Sequence, residues 1–266
     1  MTKPPLEHTE HRPSRLRTLP LRALAPNMIT MLALTAGLTG IKFAIAGRWE
    51  AAVYAIVIAA ICDGMDGTVA RLLRGATRFG AELDSLSDVV AFGIAPAVVL
   101  YMWTLQDLGG VGWVVALIYA GGCALRLARF NANLDGEEAP YRLAGYLTGV
   151  PAPAGAGLAL LPMILSFWTA KDDMFTPALT AVYMTGIALL MVSRLPTFSI
   201  KSFRVRPAMR FPLILAVPLF VALLTAFPWK TLTVVGAAYL LSLPFSLRSY
   251  RRHRGGKASP SKIARR

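Results

Sequence analysis

DGMDGTVARLLRGATRFGAELDSLSD, residues 63–88, places Asp63, Asp66, Asp84 and Asp88 at or just beyond the facing ends of two apolar runs, 51–73 and 85–104. A charged side chain at the centre of a membrane helix costs at least about 2.5–3.5 kcal/mol, and less near the interface. Four acids together also repel one another, so such a cluster persists where cations or protons neutralise it. The spacing favours cations. Asp63 and Asp66 are i,i+3, and Asp84 and Asp88 are i,i+4, so each pair shares one helix face. An antiparallel helix pair joined around Leu73–Gly80 turns the two carboxylate pairs toward each other. Oxygen donors without soft or imidazole partners suit Mg²⁺ or Mn²⁺. Gly64 and Gly67 let a ligand approach the backbone. Arg71, one helical turn beyond Gly67, offers a planar donor fork for phosphate. The plainer alternative is a helix-end salt-bridge patch with Arg71, Arg74 and Arg78. Four acids at two helical spacings, interleaved with Gly and Arg, favour the metal and phosphate reading.

The rest of the chain is built to sit in lipid. Of its 266 residues, 55% are hydrophobic and only 16% are charged, and the mean hydropathy is +0.54. That balance excludes a disordered chain, a coiled coil and an ordinary soluble globule. Eight apolar runs are candidates to span the bilayer, at 27–46, 51–73, 85–104, 111–131, 151–170, 177–194, 211–227 and 230–248. None alternates with a period of two, so the expected fold is all-α, a polytopic membrane protein of about eight transmembrane helices. The expected organisation is a mobile basic tail over 1–22, a six-helix core over 23–210, an additional transmembrane hairpin over 211–248 and a second mobile basic tail over 249–266. The first tail lacks the apolar segment of a signal peptide.

Charge gives the orientation. There are 28 Lys and Arg residues against 14 Asp and Glu, a net charge of +14. Arg48, Lys171 and Lys230 lie at one set of helix ends and Lys42 lies inside the first run. All other basic residues fall in the tails or at the opposite ends. The positive-inside rule then puts both termini and the carboxylate cluster in the cytoplasm. The five tryptophans, Trp49, Trp103, Trp113, Trp168 and Trp229, all mark the charge-poor ends, as interfacial Trp does. Topology and anionic headgroups account for the basic excess, which leaves no call for a nucleic-acid role. Cys62 and Cys123 sit within apolar runs and read as packing residues. His8, His11 and His253 all lie in the tails, which excludes imidazole catalysis in the core.

The run 63–88 resembles the signature of the CDP-alcohol phosphatidyltransferase family, D-x2-D-G-x2-A-R-x8-G-x3-D-x3-D. Asp63, Asp66, Gly67, Ala70, Arg71, Gly80, Asp84 and Asp88 match every fixed position. The resemblance implies that an alcohol attacks the lipid-bearing phosphate of a CDP-lipid and that CMP leaves. It implies two divalent cations, Mg²⁺ or Mn²⁺, with Asp63, Asp66 and Asp84 as ligands. Asp88 also touches a metal in this reading, and serves as general base for the acceptor hydroxyl. Gly67 and Ala70 would give room to the CDP moiety and Arg71 would hold its phosphates. Asn27 and Thr30 resemble the Pro-Asn-x-x-Thr start of the family's first helix, as nucleotide contacts or as helix caps. A homodimer is also suggested by the resemblance, in a bacterial inner or plasma membrane.

Three further runs, DSLSDVVAFGIAPA (84–97), ALRLARFN (124–131) and GVPAPAGAG (149–157), resemble the branch of that family that makes phosphatidylserine. The expected substrates are therefore CDP-diacylglycerol and L-serine. Arg126 and Arg129, i,i+3 at a helix end, are expected to bind an acceptor carboxylate or a lipid phosphate, against the alternative of positive-inside anchors. The competing functions are the same reaction on glycerol phosphate, inositol phosphate or choline, and a cation transporter with the acids as its ion path. A transporter would more naturally carry its acids near mid-membrane on broken helices. The additional hairpin has no role that its sequence reveals.

Overall fold

A computed structural model of the chain describes residues 21–73, 77–132, 146–170, 174–193, 196–198 and 210–256. Most of the two expected tails, 1–20 and 257–266, lies outside the described residues, as do Arg74 and Arg142. The apolar runs are helices: α1 (Leu21–Ile45), α2 (Trp49–Leu72), α3 (Arg78–Asp88), α4 (Ala95–Trp103), α5 (Gly110–Ala132), α6 (Ala152–Ala159), α7 (Leu161–Thr169), α8 (Pro177–Val192), α9 (Arg210–Ala226) and α10 (Pro228–Gly256). A π turn, Val89–Ile94, joins α3 to α4 without a break. In lipid, helices meet every backbone polar group from within, which is why apolar runs take this form.

Four stretches are long and apolar enough to cross a membrane: Leu24–Ile45, Trp49–Leu72, Arg78–Trp103 and Gly110–Ala132. The bent pair α6–α7 makes a fifth when counted as one span, and α8 is apolar but shorter. All eight expected runs coincide with helices, while length and hydropathy identify four or five crossings among the described residues. Only 28% to 50% of each of those four spans is buried inside the protein. Leu32, Leu38, Ile58, Leu117 and Val182 point outward. A stable chain with so much exposed apolar surface is an integral membrane protein. α10 continues through Arg251 to Gly256, past the expected end of the eighth run, because the Arg-rich segment that follows is itself compatible with helix.

Two prolines shape the spans. Pro96 has no N–H to give the carbonyl of Phe92 four residues earlier. The chain winds wider there: the N–H of Ala95 donates to Val90, five residues back. The hydroxyl of Tyr119 donates to the Phe92 carbonyl at 3.1 Å. Pro162 repeats the device. It leaves the Leu158 carbonyl without its helical donor, the chain bends by 42° between α6 and α7, and the hydroxyl of Tyr183 donates to Leu158 at 2.9 Å. The run expected as one span over 151–170 is thus two helices with a proline-induced break.

Small residues bring the helices together. A Cβ on Gly37 would stand 2.7 Å from Cα of Ala91, so α1 crosses directly over the π turn. On the other side of that turn, a Cβ on Gly93 would stand 3.1 Å from Cβ of Cys123. Cys123 is fully buried, the packing role expected of it, and Cys62 is half-buried. The core runs from Val53 and Ile56 through Phe92, Val99 and Leu100 to Met184 and Met191.

Helix is not the whole content. A two-stranded antiparallel pair joins β1 (Tyr146–Thr148) to β2 (Pro196–Phe198), with Tyr146 opposite Phe198 and Thr148 opposite Pro196. It escaped the sequence reading because three-residue strands outside the apolar runs carry no periodic pattern. Pro196, at the first position of its strand, is where proline is tolerated in a ladder.

Candidate active site

α2 and α3 deliver the carboxylates. Asp63 and Asp66 lie in the second half of α2, and Asp84 and Asp88 in the second half of α3. α3 is started by Thr77, which precedes it in extended conformation and accepts from the N–H of Gly80 at 3.0 Å. Gly80 packs closely against α1: a Cβ there would stand 2.8 Å from Oδ1 of Asn27, a side-chain atom that would have to move aside. The fixed glycine between the two acid pairs thus sits where α3 meets α1.

The carboxylate oxygens of Asp63, Asp66 and Asp84 come within 4.8 Å of one another. Asp66 is 5% exposed and accepts from the Thr30 hydroxyl at 2.7 Å. Thr30, itself 3% exposed, also reaches the carbonyl of Pro26 at 3.1 Å, and its own carbonyl accepts from Ser87 at 3.2 Å. Oδ1 of Asp84 is buried and has no hydrogen-bond partner among the described residues. Asp88 is close enough to Asp63 and to Arg126 to interact with both, and Arg126 also interacts with Asp63. Three all-oxygen ligands at this separation, one with an orphaned buried oxygen, fit a hard divalent cation.

A cavity of about 140 Å³ opens beside the cluster. It is lined by Asn27, Thr30, Asp66, Gly67, Ala70 and Asp84, among others. A Cβ on Gly64 or on Gly67 would meet nothing within 4 Å. Gly67 therefore serves no packing purpose, and its bareness leaves the backbone accessible. Arg71 is exposed at this edge, with Nε donating to the Gly67 carbonyl at 2.9 Å. Four of the five residues expected to contact a CDP-lipid, Asn27, Thr30, Gly67 and Ala70, thus line one cavity beside the carboxylates, and Arg71 lies outside its lining. Asn27 and Thr30 lie inside α1, which starts at Leu21, and so are not at a capping position.

The two arginines of α5 part company. Arg126 interacts electrostatically with Asp88 and Asp63. Arg129 donates from Nη1 to the carbonyl of Val192 at 2.6 Å, tying α5 to the end of α8. Sequence reasoning missed several supporting residues. Thr77 had a readable signal, a hydroxyl residue just before a helix start. Asn131, which donates to the Ser85 hydroxyl at 2.8 Å, and Tyr239, whose hydroxyl is buried near Arg126, had none.

Residues 23–247 match the CDP-alcohol phosphatidyltransferase family. The chain is 38% identical to the CDP-diacylglycerol–serine O-phosphatidyltransferase of Mycobacterium leprae, over 90% of this chain and 79% of that one. It is 32% identical to the protein of the same name from Helicobacter pylori, over 82% and 88%. It is 31% identical to the archaetidylserine synthase of Methanothermobacter thermautotrophicus, over 63% and 66%.

Proposed function

The chain belongs to the CDP-alcohol phosphatidyltransferase family, and from that premise we propose that it transfers the phosphatidyl group of CDP-diacylglycerol to the hydroxyl of L-serine. The products are phosphatidylserine and CMP. The observation that carries the reading is the meeting of Asp63, Asp66 and Asp84 beside a cavity floored by the bare backbone of Gly67. The names of the relatives support serine as the acceptor.

Asp63, Asp66 and Asp84 would hold the divalent cations, two Mg²⁺ or Mn²⁺ ions, with Asp88 adjoining. Bound there, the cations neutralise the diphosphate and the charge that develops on departing CMP. The chain's own residues do the rest. Asn27, Thr30, Gly67 and Ala70 shape the nucleotide cavity, and Thr30 fixes the orientation of Asp66. Arg71 binds diphosphate oxygens at the exposed edge. Asp88 accepts the proton of the serine hydroxyl as its oxygen bonds to the lipid-bearing phosphorus and the bond to the CMP phosphate breaks. Arg126 faces the acceptor, and Arg129 anchors α5 while keeping further donors for a lipid phosphate. The site opens to the cytoplasm with both termini, and α9–α10 forms a hairpin added to a six-helix core. Two copies of the chain form the working unit.

The test is the acceptor panel. Purified protein with labelled CDP-diacylglycerol and Mg²⁺ releases CMP with L-serine, and the label appears in phosphatidylserine. Release with glycerol phosphate, inositol phosphate or choline in place of serine would assign a different acceptor.

A further inference from the structure

α10 belongs to the additional hairpin, yet it packs against the catalytic core. A Cβ on Gly236 would stand 2.8 Å from Cδ1 of Leu161, so α10 lies directly on α7 at that point. At its start, the Trp229 ring packs on Tyr54 of α2 and Phe167 of α7, with centroids 5.0 and 4.8 Å apart. Leu232, Val235, Gly236 and Tyr239 recur at helical spacing and line a cavity of about 330 Å³ with residues of α2 that include Ala60 and Ile61. The lining thus reaches to within two residues of Asp63.

Tyr239 differs from the other residues of that stripe. Its hydroxyl is buried without a hydrogen-bond partner among the described residues, and so is Nε of Arg126. The two side chains are close enough to interact electrostatically, and Arg126 interacts in the same way with Asp88 and Asp63. Buried polar atoms without partners are rare, because each forfeits its hydrogen bonds to water. A guanidinium N–H can only donate; a phenol can also accept, yet the two orphans make no hydrogen bond to each other. One anion between them satisfies both.

We propose that Tyr239 and Arg126 together bind the carboxylate of the amino-acid acceptor, so that the additional hairpin completes the acceptor side of the active site. This rests on the reading of the chain as a phosphatidyltransferase that uses L-serine. Neither Arg126 nor Tyr239 lines the nucleotide cavity, so we assign the anion between them to the acceptor and not to the nucleotide. The chemistry of serine agrees. Its carboxylate is one carbon removed from the CH₂OH group, so a hydroxyl at Asp88 leaves the carboxylate within reach of the arginine that faces Asp88. Tyr239 is a positioning and specificity residue here, since it takes no part in bond making.

Tyr239→Phe tests this, because the ring stays and only the donor is lost. Detergent-solubilised variant and wild type are compared in a CMP-release assay, with L-serine and CDP-diacylglycerol varied separately. The KM for L-serine is expected to rise about ten-fold or more, the usual effect of losing a hydrogen bond to a charged group. The KM for CDP-diacylglycerol and the thermal unfolding midpoint stay at wild-type values. The preference for L-serine over L-serinamide, which lacks the carboxylate charge, falls by a similar factor. An unchanged KM for serine with an unchanged preference overturns the proposal. A change confined to the KM for CDP-diacylglycerol also overturns it, and assigns the anion to the lipid phosphate. A wild-type protein that ignores L-serine overturns the underlying functional reading before any variant is compared.

Discussion

Replacing Thr30 by valine removes one hydroxyl at nearly constant volume, and its effect can be worked out from the geometry. Thr30 is 3% exposed and Asp66 is 5% exposed, so water cannot take the place of the 2.7 Å bond between them. A hydrogen bond to a charged group contributes about 1.5–3 kcal/mol net. Asp66 would keep its charge but lose the contact that orients it, the usual consequence of deleting a group that supports a metal ligand. Such deletions weaken metal affinity about 10- to 100-fold, in line with that energy. The assay is CMP release at saturating CDP-diacylglycerol and L-serine, with Mg²⁺ titrated over several decades. The half-saturating Mg²⁺ concentration should rise by about 10- to 100-fold in Thr30→Val, with much of the rate recovered at high Mg²⁺. An unchanged Mg²⁺ curve would refute the reasoning. So would a lost rate that no Mg²⁺ concentration restores, since that would place Thr30 in substrate binding alone.

The remaining predictions address the cluster, its neighbours and the fold. Asp63→Asn, Asp66→Asn and Asp84→Asn should each abolish CMP release, and EDTA should do so reversibly, with activity restored by Mg²⁺ or Mn²⁺. Gly67→Ala meets nothing in the protein, so its unfolding midpoint should match wild type while the KM for CDP-diacylglycerol rises; Gly80→Ala, which drives into Asn27, should lower the midpoint as well. Tyr119→Phe and Tyr183→Phe each orphan a carbonyl already deprived of its helical donor by proline. Each should cost about 1–3 kcal/mol in unfolding from detergent, and a Phe variant with unaltered stability would contradict the account of the bends. A reporter fused after Arg266 should be active only in the cytoplasm.

The site was legible where residues repeat at a recognisable spacing. Asp63, Asp66, Asp84 and Asp88 declare a shared face by their separation, and the structure joins the first three within 4.8 Å. Gly67 was legible as a place of close approach, and its surroundings are bare. The supporting groups were hidden because each is a single polar residue inside an apolar run. Nothing near Thr30 in sequence announces Asp66, thirty-six residues away, and nothing near Tyr239 announces Arg126. The same limit applies to the fold. The apolar runs located every long helix, yet the break at Leu160 and the π turn after Asp88 lie within runs of uniform hydropathy. Their cause was present in the sequence, as Pro162 and Pro96 with a tyrosine elsewhere to fill each vacated carbonyl. Only the tertiary fold shows which tyrosine does so.

The central claim is that serine itself attacks the lipid-bearing phosphorus, with Asp88 taking its proton. It is tested most directly by following CMP and phosphatidylserine together in a rapid-mixing experiment on purified protein with CDP-diacylglycerol and Mg²⁺. Direct attack predicts that CMP appears only once L-serine is added, in equal amount with phosphatidylserine. It also predicts that Asp88→Asn slows both by at least about 10²-fold while CDP-diacylglycerol still binds. A burst of CMP equal to the amount of enzyme before serine is added would contradict it, because the phosphatidyl group would then have passed first to the protein.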